Sequence, residues 1–150
     1  MRNTIATTYN HEMRIFMLVV LGLLNLCLMI GCSAPKQDAE PGNGITKAYQ
    51  QHKSNVQVTG DGVVMRVLPD DTSGLTHQRF IVQIPSGQTI LIEFNTDVAT
   101  RIEDLEAGDA VSFAGEYIWN EQGGLVHWTH HAPAGRHPSG WLRHKGRIYE

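Results

Sequence analysis

Between residues 56 and 130, apolar and polar residues alternate in short runs, and the runs are separated by glycine, proline, asparagine or aspartate. A period of two puts every second side chain on one face, so each run reads as a half-buried β-strand. Val56 and Val58 open the first run, and Gly60-Asp61-Gly62 interrupts it before residues 63–68 continue it. Glycines inside a strand mark a bend or bulge. Phe80, Val82 and Ile84 share the core face of a second run; Ile90, Ile92 and Phe94 do the same in a third. Pro85-Ser86-Gly87-Gln88 between them predicts a hairpin turn. Asp97-Val98-Ala99-Thr100-Arg101-Ile102 predicts a short helix, with Asn95 or Thr96 as N-cap. Val111, Phe113, Gly115, Tyr117 and Trp119 line one face of a fourth strand. Gly123-Gly124 turns the chain back into a fifth, residues 125–130.

Three strands, a short helix and two more strands is the order of an OB-fold, a five-stranded Greek-key barrel. The fold expected is therefore all-β: a small OB-fold-like barrel over residues 55–150, with an SH3-like barrel as the alternative. Residues 141–149 add a small hairpin around Lys145-Gly146.

The remainder of the chain is not barrel. Residues 15–30 are apolar apart from Gly22 and Asn25, and Gly31-Cys32 follows. A membrane span needs about 20 such residues, whereas a signal-peptide core needs about 7–15 behind a positive charge. Arg14 supplies that charge, and Met13 is an alternative start to Met1. Leu28-Met29-Ile30-Gly31-Cys32 resembles the lipobox of bacterial lipoproteins, although Met29 stands where leucine is usual. The resemblance implies a signal peptide over residues 1–31 and diacylglyceryl attachment at Cys32. It also implies residence in the cell envelope, with Ser33 compatible with the outer membrane, facing the periplasm. Cleavage after Gly31 or Ala34 without a lipid is the alternative. Residues 32–54 are polar and read as a flexible tether reaching about 25 Å, with one or two helical turns within 47–54. Cys27 and Cys32 are the only cysteines, so residues 33–150 contain no thiol for a disulfide, a zinc ligand or a nucleophile.

From Cys32 onward, 10 basic side chains face 14 acidic ones. That balance argues against nucleic acid as a partner. Chemistry-bearing residues collect near the C-terminus: His127, His130, His131, His137 and His144, with Trp119, Trp128 and Trp141. Imidazoles at this density suggest a divalent metal such as Zn²⁺. On a continuous strand His127 and His131 lie about 13 Å apart, so a shared site needs a bend near His131, which Pro133 and Gly135 would permit. His77 and Glu116 are candidate distant ligands. Exposed tryptophans offer stacking platforms, and Arg79 on the outer face of the second strand is a cation beside them.

The segments His77-Gln78-Arg79-Phe80, Gly115-Glu116-Tyr117-Ile118-Trp119-Asn120, His127-Trp128-Thr129-His130 and Gly140-Trp141 resemble a family of small bacterial lipoproteins known only as a domain of unknown function. The resemblance covers roughly residues 55–150 and implies a domain boundary, not an activity. Three functional readings stand. One is a non-enzymatic binding or envelope-associated module that holds a glycan or protein partner, using His77, Arg79, Trp119, Trp128 or Trp141. Another is a metal-dependent hydrolase with Glu116 as general base beside His127, His130 and His137. Metal buffering without catalysis is a third.

Overall fold

The computed structural model describes residues 42–150. The expected signal peptide, Cys32 and the first part of the tether lie outside the described residues. The turn signals separate seven strands: β1 (Val56–Asp71), β2 (His77–Gln83), β3 (Thr89–Asn95), β4 (Ala110–Ile118), β5 (Leu125–His127), β6 (Trp141–His144) and β7 (Arg147–Tyr149). Their order is β1-β2-β3-β5-β4-β6-β7, and a further β1–β4 pairing joins five of them into a ring. The fold is all-β, as the alternation implies. β3 and β5 run parallel, while the other neighbours are antiparallel.

β1 makes the ring possible because it serves two partners. Its first half pairs with β4, from Val56 opposite Tyr117 to Val63 opposite Ala110. Its second half pairs with β2, from Val63 opposite Gln83 to Asp71 opposite His77, with two register shifts. Gly60 and Gly62 sit where the strand changes partner. A Cβ on Gly60 would lie 2.7 Å from Phe113 Cζ, and one on Gly62 would overlap Val82 and the Gln83 carbonyl. The glycines are there because backbone and core approach too closely for a side chain.

The core faces read from the sequence are the buried ones. Phe80, Val82, Ile84, Ile90, Ile92 and Phe94 are at most 2 % exposed, and each large apolar side chain contributes about 1.5–3 kcal/mol on burial. Tyr117 is also inside; burial pushes its hydroxyl up to about 12, and that hydroxyl donates to the Gly123 carbonyl at 3.0 Å. The predicted hairpin at Lys145-Gly146 is present, with both residues at positive φ (47° and 81°), as a tight hairpin turn requires.

Three expectations change. The helix predicted at 97–102 does not form; residues 96–109 are turns and irregular chain. The backbone groups that a helix would satisfy internally find other partners. Asn95 Oδ1 accepts the Asp97 N–H, Asp97 Oδ2 accepts the Thr76 N–H, and the buried Gln78 amide bonds both the N–H and the carbonyl of Ile102. The helix that does form, α1 (Asn43–Gln50), lies in the stretch read as tether and buries Ile45 and Ala48. It docks where β1 is bare: a Cβ on Gly60 would sit 3.1 Å from Ile45 Cδ1. Finally, β5 stops at His127 rather than continuing to residue 130. Among the described residues no helix is long and apolar enough to cross a membrane.

Candidate functional site

The end of β5 creates the site. Trp128 takes φ 51°, in the left-handed region, which is unusual for a bulky residue and costs about 1–3 kcal/mol. Its neighbours hold it there. Thr129 is fully buried and donates from Oγ1 to the Glu93 carbonyl at 3.1 Å. The Gly140 N–H donates to the His130 carbonyl at 2.9 Å. A Cβ on Gly115 would lie 2.9 Å from Thr129 Cγ2 and overlap the His127 carbonyl. The chain then turns through Gly135, whose N–H reaches the Ala132 carbonyl at 2.9 Å, and returns His137 to Trp128.

The two rings stack, with centroids 4.2 Å apart and planes 22° apart. His130 meets both edge-on, 5.1 Å from His137 and 5.9 Å from Trp128. Beside them opens a cleft of about 420 Å³, lined among others by Leu75, Val98, Trp128, His130, Pro133 and Arg136. Leu75, Val98 and Trp128 are exposed. An apolar wall with a few polar groups is the usual make-up of a small-ligand site, and the volume lies in the usual range.

Hydrogen bonding assigns the protons. His130 Nδ1 lies 2.8 Å from the His131 carbonyl, and His137 Nδ1 lies 2.8 Å from the Pro138 carbonyl. A carbonyl only accepts, so each Nδ1 carries the hydrogen and each Nε2 offers its lone pair when the ring is neutral. Burial holds His130 below the ordinary histidine range, with His137, His77 and His127 nearby acting in the same direction. Its Nε2 is buried without a hydrogen-bond partner.

This has a consequence for stability. The unfolded chain takes up a proton near pH 6.5 that folded His130 resists, so stability falls as the pH drops below about 6.5. The melting temperature is expected to fall between pH 7.5 and 5.5, and to fall less in His130→Gln. Equal slopes in the two proteins would show that His130 does not set the trend. Asp104 and Asp109 act in a lower window. The Lys145 ammonium holds Asp104 below the carboxylate range, while the Glu106 N–H and then His144 do the same for Asp109. Their contribution is lost only as the pH falls below about 4.

Of the other candidates, His131 also lines the cleft and the rest lie elsewhere. His127 faces Glu116 across β4–β5, Nε2 to Oε1 at 3.3 Å, so the proposed general base is engaged with a neighbouring histidine. His131 bonds Ser139 Oγ at 3.2 Å and is exposed. His77 bonds the carbonyl of Leu75, itself a cleft residue. Arg79 donates twice to the Pro69 carbonyl. Trp119 packs on His52 at 4.4 Å, and Trp141 lies under the Arg143 guanidinium at 5.3 Å. Of the tryptophans only Trp128 lines the cleft. Among the described residues no group of three or more His, Cys, Asp or Glu side chains is placed to hold a metal ion. Leu75, Val98 and Arg136 were not among the sequence candidates; the signal for the first two was a lone apolar residue in a polar loop.

A second groove of about 550 Å³ lies between α1 and the turns at 86–89 and 121–123. Its polar walls already bond across it, Thr46 to Ser86 at 3.0 Å and Gln88 to the Gly123 carbonyl at 2.7 Å. The Trp128 cleft is therefore the stronger candidate.

No curated protein sequence and no solved structure matches the chain. One family profile does match, and it starts upstream of the β-domain, at residue 27, and so includes Cys32. On that match over residues 27–150, the chain belongs to the family described as protein of unknown function (DUF3465).

Proposed function

We propose that the chain is a lipid-tethered, non-enzymatic binding module of the bacterial envelope, with an OB-like barrel that holds an envelope glycan in the Trp128 cleft. The observation that carries this reading is Trp128 itself. It is a large aromatic residue, 38 % exposed, kept on a cleft wall by a backbone conformation that costs energy. Strain of this kind clusters at functional sites. A flat aromatic face flanked by imidazoles and a guanidinium suits a ring with hydroxyl groups around it. Anchoring rests on the lipobox resemblance at Cys32, and the family match takes in that residue. The anchored domain would face the periplasm from the outer membrane, so the outer membrane fraction is the first place to look for it.

The test uses the full chain in detergent micelles. Tryptophan fluorescence is followed during titration with N-acetylglucosamine oligomers and with lysozyme-digested peptidoglycan. A saturable change without product formation is expected, lost in Trp128→Ala and kept in Trp141→Ala. In cells, Cys32→Ala should move the protein out of the membrane fraction. No response to either probe would overturn the glycan reading and direct the search to protein partners. Turnover of the probe would favour the hydrolase reading instead.

A further inference from the structure

We propose that His130 and His137 form a two-imidazole site for a divalent cation of the copper, nickel and zinc group. The inference does not depend on the glycan reading. It starts from the two Nδ1 atoms. Each is 2.8 Å from a backbone carbonyl, of His131 and of Pro138. Metal-binding histidines have this arrangement, in which the far nitrogen is fixed on a carbonyl and the near one is left to the metal. The rings are 5.1 Å apart and nearly perpendicular, at 84°, so both belong to one small volume.

The second observation is independent of the first. His130 is 6 % exposed, and its Nε2 is buried without a hydrogen-bond partner. An unsatisfied buried acceptor is unfavourable, and a cation would give it a partner. Imidazole nitrogen suits copper, nickel and zinc, whereas magnesium and calcium prefer oxygen. Two protein ligands leave coordination positions open for water or an incoming ligand. Arg136 on the cleft wall favours an anion in one of them.

The stacking of Trp128 on His137 supplies a reporter. The full chain, without an affinity tag and stripped with chelator, is titrated at pH 7.5 with Cu²⁺, Ni²⁺ or Zn²⁺ alone, using calorimetry and tryptophan fluorescence. One ion per chain is expected, with Cu²⁺ and Ni²⁺ quenching Trp128 and Mg²⁺ giving no response. His137→Gln, at a partly exposed position, should weaken binding about tenfold or more. His131→Gln and His127→Gln should leave it unchanged. Trp128→Phe should remove most of the quenching while the stoichiometry remains. Absent binding, binding indifferent to His137→Gln, or equal loss in His131→Gln would each overturn the site. A negative glycan titration would leave this result standing, and the reverse also holds.

Discussion

Gly140→Ala is expected to lower the melting temperature by about 10–20 °C. A Cβ at this position would overlap the carbonyls of Trp128 and Ala114 and lie 2.8 Å from Thr129 Cα. All three obstacles are backbone, so no rotamer change relieves them. Either residues 128–130 lift away from β4, or the Gly140 N–H gives up the His130 carbonyl. Both routes disturb the Trp128–His130 segment, so glycan and metal responses should weaken together. Gly44→Ala is the control. It lies in α1 with nothing within 4 Å of the added carbon, and alanine is favoured over glycine in a helix by about 1 kcal/mol. Its melting temperature should rise slightly. Thermal unfolding by circular dichroism reads both. If Gly140→Ala melts with the wild type, residues 128–130 are not pinned against β4.

Gln78→Leu should be the most damaging change of similar volume in the core. Gln78 is 1 % exposed, and its side chain holds both backbone groups of Ile102, at 2.8 and 3.1 Å. Leucine fills the space and leaves a buried N–H and a buried carbonyl unpaired. Each unpaired group costs about 1–3 kcal/mol, so a loss of about 3–5 kcal/mol in urea unfolding is expected. The amide of Ile102 should also lose its protection from hydrogen exchange. Because Val98 belongs to the same irregular segment and lines the cleft, any surviving fold should bind the glycan probes less well. A loss below about 1 kcal/mol would mean that water replaces the amide.

The strands were legible because their signal is local. The alternation of Phe80 with Val82, or of Ile90 with Ile92, needs no knowledge of the partner strand, and the turn at Pro85-Ser86-Gly87 is marked by its own residues. The false helix at 97–102 shows the limit of that logic. Asn95 and Asp97 have helix-capping chemistry, but here Asn95 closes a local turn while Asp97 reaches the Thr76 N–H, 21 residues away, and the decisive partner of Ile102, Gln78, is 24 residues away. Ile45 failed as a signal for a related reason: one apolar residue in a polar stretch matters only because Gly60 leaves room for it. Within the site, the histidines and Trp128 were visible as residue types. Their grouping was not, because it depends on a left-handed tryptophan that no local pattern predicts.

The sharing of β1 also bears on how the domain is assembled. Residues 63–95 form a meander whose pairings are close in sequence and quick to find. At that stage two strand flanks lack neighbours: the first half of β1 and the outer side of β3. Unpaired flanks invite association with other chains. β4 covers the first and β5 the second, and these two strands are themselves a hairpin. A single late-arriving element therefore seals both openings at once, like a keystone set from the C-terminal side. Until residues 110–127 have emerged, the growing chain has no closed form to adopt.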